Sequence, residues 1–82
     1  VGVDNKDVTF SVYPNPTSDF ISFNSSANIK EVILYDNNGK LVNQFNPNLF
    51  TYTIDVRNLP KGIYFAELRN THGTHSEKII IR

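Results

Sequence analysis

Two histidines and a glutamate lie close together near the end of the sequence, and these residue types can ligate a metal ion. His72 and His75 are three residues apart, and Glu77 follows two positions later. A metal site needs further ligands at a suitable spacing, and the chain has no cysteine and no third histidine. Because a short motif match alone is a weak warrant, we predict the polar tip of a hairpin here and no metal.

A second group of residues, Asp36-Asn37-Asn38-Gly39, resembles the start of a calcium-binding loop. Such a loop needs later oxygen ligands and a glutamate near its end, and this segment lacks them. Asparagine and glycine both tolerate a positive φ and together favour tight hairpin turns. We therefore predict a hairpin turn at Asn38-Gly39.

No arrangement of residues predicts catalysis. The carboxylates are scattered along the chain, and neither histidine lies where it would align a serine with an acid. A chain of 82 residues also has little volume for a pocket of the usual ~300–1,000 Å³. We expect no enzymatic activity, no cofactor and no bound metal.

Two features of the sequence could carry or bind carbohydrate. The segment Asn24-Ser25-Ser26 fits the acceptor pattern for N-glycosylation, but the pattern is short and common, so we predict a plain loop. The tyrosines could form a flat platform that stacks on sugar rings. Packing in the core or at a sheet edge, with the hydroxyl reaching water or a backbone group, fits their positions better. The four tyrosines are Tyr13, Tyr35, Tyr52 and Tyr64.

The composition favours an all-β domain as the framework for these residues. Among the 39% of residues that are hydrophobic, Ile, Val, Phe, Leu and Tyr supply nearly all, and Ala supplies 2. β-Branched and aromatic residues suit a pleated sheet, whereas helical domains are rich in Ala and Leu. The 11 asparagines and 4 glycines supply turns. A chain of this length forms a single domain with one small core.

The charge balance excludes several classes of partner. Eight Lys and Arg balance 8 Asp and Glu, so the strongly basic surface that nucleic acid requires is absent. The charge is uneven, since residues 57–82 carry a net +3. Without cysteine there is no disulfide framework, and no apolar run reaches the ~20 residues that span a bilayer. We therefore expect no nucleic-acid partner and no transmembrane segment.

Alternation of apolar and polar residues predicts seven short strands. They lie at residues 8–12, 20–23, 30–36, 40–45, 50–57, 63–70 and 75–82. Residues 1–7 are predicted to be a linker tail, and residues 8–82 the domain. Seven strands at this spacing predict an antiparallel Ig-like β-sandwich with Greek-key connections. The side chains expected to be prominent in its core are Phe10, Val12, Val32, Leu34, Ile54, Val56, Ile63, Phe65 and Ile80.

Several segments, taken in order, resemble the C-terminal sorting domain (type A) of type IX secretion substrates from Bacteroidetes-type bacteria. They are Tyr13-Pro14-Asn15-Pro16, Ile33-Leu34-Tyr35-Asp36, Gly39-Lys40-Leu41-Val42, Ile54-Asp55-Val56, Leu59, Gly62-Ile63-Tyr64-Phe65 and Lys78-Ile79-Ile80-Ile81-Arg82. Pro14 and Pro16 fix φ and end the first strand, while Gly39 and Gly62 allow a turn and a corner to close. Tyr64 is expected on an outer or edge position with its hydroxyl available.

The resemblance implies a non-catalytic sorting signal carried by a larger exported protein. The N-terminal cargo domain would cross the periplasm on its way to the cell surface or the medium, and the type IX translocon and a sortase at the outer membrane would be the partners. The tag itself is expected to be a monomer, with the terminal segment Lys78, Ile79, Ile80, Ile81 and Arg82 as the recognition element. Pairing through an exposed strand edge, with Lys78 and Arg82 fixing the register, is one route to recognition.

Two other functions remain compatible with the same fold. A carbohydrate-binding module would need an aromatic platform on one face. A structural Ig-like spacer would need further coding sequence after Arg82, whereas a sorting domain must be the last domain of its protein.

Overall fold

The computed structural model describes residues 9–14 and 16–82. Within these ranges the chain forms six β-strands and no helix, so no described helix could cross a bilayer. The linker predicted at residues 1–7, the first predicted strand residue Val8 and the motif residue Asn15 lie outside the described residues. The strands are β1 (Phe10–Tyr13), β2 (Phe20–Asp36), β3 (Leu41–Phe45), β4 (Leu49–Asp55), β5 (Gly62–Asn70) and β6 (Gly73–Ile81).

The 17-residue strand β2 organises the sheet because it pairs antiparallel with four other strands. Its first half lies between β1 and β4, so that Phe23 is opposite both Val12 and Tyr52. Its second half lies between β3 and β5, and β5 then pairs with β6. Register shifts near Ile29 interrupt the ladders to β4 and β5. Such irregularities bend a strand, and here they accompany the curl of a single antiparallel sheet.

The all-β prediction is confirmed, whereas the seven-stranded Ig-like sandwich with Greek-key connections is not. The predicted strands at 20–23 and 30–36 are one continuous strand, which leaves six strands in one curled sheet. The polar segment between them suggested a loop, yet Ser25 and Ile29 are buried. The backbone of both residues is paired with neighbouring strands. Ser25 is opposite Phe10 of β1, and Ile29 is opposite Leu49 of β4.

The core fills the inner side of the curl. Phe23, Ile29, Leu68 and Ile79 are fully buried there, and full burial of one such side chain contributes about 1.5–3 kcal/mol. The partly buried Phe10, Val12, Val42, Phe45, Tyr52 and Leu59 pack against this cluster. Of the side chains expected in the core, Val32, Leu34, Ile54 and Val56 are confirmed, and Phe10 and Val12 lie at its margin.

The predicted facing of the last two strands is wrong. Ile63 and Phe65 are each 39% exposed and Ile80 is 37% exposed, so all three lie on the outer face. The inward positions of β5 and β6 are occupied instead by Tyr64, Ala66, Leu68, Ile79 and Ile81. The charged residues indicated this facing in the sequence, because Glu67 and Arg69 alternate in step with Ile63 and Phe65. Lys78 and Arg82 likewise lie on the same side of the strand as Ile80.

Candidate functional site

The terminal segment proposed for recognition presents alternate residues to opposite sides of the sheet. Ile79 and Ile81 point into the core and are 0% and 3% exposed. Ile80 lies outside the core, as do Lys78 and Arg82, which are exposed. The two buried isoleucines therefore hold the strand in place, while Lys78, Ile80 and Arg82 lie on its exposed side.

The outer edge of β6 is bonded to a loop near its end. The backbone N–H of Thr17 donates to the Ile80 carbonyl at 3.0 Å, and the Arg82 N–H donates to the Thr17 carbonyl at 2.9 Å. Thr17 forms a parallel bridge with Ile81 and is 6% exposed. Its hydroxyl donates to the Phe20 carbonyl at 2.5 Å. Thr17 therefore attaches the loop after β1 to the last strand.

This attachment brings two distant motif segments together. Pro14 and Pro16 precede Thr17 in the loop, and an open cleft of about 220 Å³ lies between Pro16, Thr17, Ser18 and Arg82. Thr17 is not among the residues predicted from the sequence. It lies outside every strand, so no periodicity marks it, and no local pattern predicts a parallel bridge to a residue 64 positions later.

The motif residues Gly39 and Lys40 build the turn between β2 and β3. The Asp36 carboxylate accepts the backbone N–H groups of Asn38 at 2.8 Å and Lys40 at 2.9 Å. Gly39 has φ 81°, the left-handed conformation that glycine adopts most easily. The predicted hairpin is therefore present, and its carboxylate stabilises the turn.

The corner before β5 holds the motif residues Leu59, Gly62 and Tyr64. Leu59 packs against the core, and Gly62 has φ 153°. Tyr64 is only 5% exposed, and its hydroxyl donates to the Pro60 carbonyl at 2.6 Å. The expected outer position of Tyr64 is therefore wrong: its ring belongs to the core and its hydroxyl closes the corner.

The histidines have structural partners. The His75 ring stacks on Phe10 with centroids 4.5 Å apart, and His75 Nε2 lies 2.9 Å from Glu77 Oε1. His72 is exposed, and its backbone N–H donates to Asn70 Oδ1. In residues 9–14 and 16–82 no three His, Cys, Asp or Glu side chains come together as metal ligands would.

The residues that could bind or carry carbohydrate do not form a common site. Asn24 lies within β2 and not in the predicted loop; its amide donates to the Tyr13 hydroxyl, and its Oδ1 accepts from Thr51. Tyr64 and Tyr52 pack toward the core, whereas Tyr13 is 47% exposed. The tyrosines therefore do not share one face.

One ion pair shifts a pKa. Arg57 donates two guanidinium hydrogen bonds to the Asp55 carboxylate, at 3.0 and 2.7 Å. The Arg57 side-chain hydrogen bonds, followed by its backbone N–H, lower the pKa of Asp55 to about 2. Arg57 also lies 5.0 Å from the centre of the Phe20 ring. The pair is exposed and fixes a local backbone conformation at the end of β4.

The arrangement as a whole defines a class: a small all-β domain whose motif residues build turns, a corner and a bridge, and whose last strand presents alternate side chains outward. The sequence matches the model of the Secretion system C-terminal sorting domain over residues 11–82, and the chain belongs to that family. Its members are C-terminal sorting signals of type IX secretion and are in general not catalytic. A comparison with curated proteins gives no match.

Proposed function

We propose that this domain directs a larger cargo protein through the outer-membrane translocon of the type IX system. The match to the sorting-domain family over residues 11–82 carries the proposal. The cargo would enter the periplasm first and reach the cell surface or the medium afterwards. A surface sortase would then remove the domain, which would act as a substrate of that enzyme and have no turnover of its own.

The terminal segment is the proposed recognition element. Its exposed side chains would contact the partner, and its buried side chains would hold the strand in the sheet. Lys78, Ile80 and Arg82 lie outside the core and are exposed. Ile79 and Ile81 anchor the strand by burial. The partner would therefore contact one face of a folded strand, on which two cationic side chains flank an apolar one.

Recognition through the side-chain face is easier in this fold than pairing along the outer edge of β6. An added strand would have to form backbone hydrogen bonds with that edge. The Ile80 carbonyl and the Arg82 N–H already bond to Thr17. Edge pairing would first have to displace the Thr17 loop, whereas face recognition leaves it in position.

A reporter fusion tests the proposal. Residues 1–82 are fused to the C-terminus of an inert reporter that carries its own signal peptide, in a host with a type IX apparatus. We expect the reporter outside the cell. The double variant Lys78→Ala with Arg82→Ala should hold the reporter in the periplasm, because it removes the two proposed recognition charges. The variant should stay folded, since removal of exposed charges usually costs no more than ~0.5 kcal/mol of stability.

The matched control removes one lysine and one arginine elsewhere. Lys30→Ala with Arg57→Ala changes two exposed cations outside the terminal segment. Once its melting temperature verifies that it is folded without the Asp55–Arg57 pair, this variant should export as the parent does. Equal export of both double variants would remove Lys78 and Arg82 from the recognition element. Periplasmic retention of the unaltered fusion would refute the sorting proposal itself.

A further inference from the structure

The outer face of the sheet carries an apolar stripe that crosses four strands. In one row, Leu41 is opposite Tyr35 and Tyr35 is opposite Phe65. In the next row, Ile63 is opposite Ile80. Leu41 is 54% exposed, and Ile63, Phe65 and Ile80 are 37–39% exposed. These five side chains are termed the outer stripe.

The dimensions of the outer stripe suit the centre of a protein interface. Four strands spaced ~4.8 Å apart extend over roughly 14 Å, and the two rows are separated by roughly 7 Å along the strands. Ile33, which is outside the core cluster, is 6% exposed, and its place two residues before Tyr35 puts it on the same side of the strand. A protein interface has an apolar centre surrounded by a polar rim, and the outer stripe has the size of such a centre.

Cationic residues lie along the stripe. Lys78 is opposite Phe65. Lys40 precedes Leu41 in the chain, while Lys61 and Arg82 flank the paired residues Gly62 and Ile81. The carboxylates on the outer face at the far side of the stripe are Glu31 and Glu67, and both pair with Arg69. The excess positive charge of residues 57–82 is therefore concentrated beside the stripe.

We infer that the outer stripe docks a partner protein whose contact surface is apolar at its centre and acidic at its rim. The cations disfavour a second copy of this chain, because face-to-face pairing would bring like charges together. The outer face of a sheet also differs from the amphipathic helix that lies in the plane of a membrane interface. Complementary charge steers such an encounter and suppresses wrong partners. The inference rests on the proposed function, since the partner would belong to the export machinery.

Two matched pairs of variants test the stripe in the reporter fusion. Leu41→Ser lies in the stripe, and Leu49→Ser, at a leucine 52% exposed on β4, lies outside it. Phe65→Ser lies in the stripe, and Phe20→Ser, at a phenylalanine 45% exposed, lies outside it. Removal of a hot-spot side chain at the centre of an interface weakens binding about tenfold or more. We expect export to fall about tenfold for the stripe variants and to stay near the parent level for the controls.

A charge reversal keeps the test independent of folding. Lys61→Glu should lower export, whereas Lys30→Glu, outside the stripe, should leave it near the parent level. Melting temperatures of the purified domains verify that the variants are folded. If the parent is exported and folded stripe variants are exported equally well, the inference fails and the sorting function stands. If the parent is retained, both fail.

A photo-crosslinking amino acid at position 41 and at position 49 identifies the class of partner. We expect a crosslink to one protein at position 41 but not at 49, at a peptide of that protein containing Asp or Glu. Sedimentation of the purified domain with vesicles containing an anionic phospholipid would overturn the assignment in favour of a membrane. A dimer in solution that Leu41→Ser dissociates would overturn it in favour of a second copy.

Discussion

Two adjacent isoleucines in the last strand give a sharp test of the fold. Ile79 is fully buried and Ile80 is 37% exposed, although the residues are identical and neighbours. Replacement by Ala removes three carbon atoms from each, and burial of a CH₂ group contributes about 0.8 kcal/mol. For Ile79 the lost transfer free energy is therefore about 2.4 kcal/mol, and a cavity adds to it. We expect Ile79→Ala to cost about 3–4 kcal/mol.

Ile80→Ala should cost about 1 kcal/mol, because part of the side chain already contacts water and no closed cavity forms. A domain of this size has a free energy of unfolding of roughly 4–12 kcal/mol. Ile79→Ala alone would therefore remove a large share of it and lower the melting temperature by roughly 12–30 °C. The backbone bond from Thr17 to the Ile80 carbonyl persists in both variants.

Urea unfolding followed by far-ultraviolet circular dichroism measures both costs. An unchanged dependence of the free energy on urea shows that the variants alter stability alone. A cost for Ile80→Ala equal to or greater than that of Ile79→Ala would contradict the facing of β6, and with it the division of the terminal segment into anchoring and presented residues.

Four further outcomes are expected. Tyr64→Phe loses the hydrogen bond to the Pro60 carbonyl and should cost about 1–2 kcal/mol in urea unfolding; no change would mean that the corner does not depend on it. Gly39→Ala should cost about 1–2 kcal/mol, because a Cβ meets no atom within 4 Å there and only the left-handed backbone opposes it. Asp55 has a lower pKa in the folded state than in the unfolded chain, so its contribution to stability is present above about pH 4 and is lost as the pH falls toward about 2. An NMR titration of Asp55 should give a midpoint near 2, and Arg57→Gln should return it toward about 3.9. Melting temperatures with and without a chelator should coincide, and a drop on chelation would show that a metal is bound.

The sequence predicted those parts of the fold that local chemistry determines. Gly39 follows asparagine between two apolar runs, and the turn occurs there. The alternation through Ile54 and Val56 predicted which side chains of that segment are buried, and both are in the core. In each case a residue's own conformational preference or a clean period-2 pattern was sufficient.

Other features depend on pairing between distant residues and were not predictable locally. The polar segment around Ser25 stays in a strand because neighbouring strands satisfy its backbone. The outward facing of Ile80 is a different case, because Lys78 and Arg82 lie on its side of the strand and already indicated it in the sequence. Thr17 reaches the terminal strand only in the folded chain. The proposed recognition surface includes such features, and local patterns therefore revealed only part of it.

Export of a reporter is the most direct test of the central claim that residues 1–82 carry a sorting signal. The fusion is expressed in two otherwise identical hosts, one with a functional type IX translocon and one without it. External protease added to intact cells, with assay of the culture medium, measures the fraction of reporter that has crossed the outer membrane. We predict that this fraction is high in the first host and near zero in the second. A reporter that remains protected and cell-associated in both hosts would contradict the account.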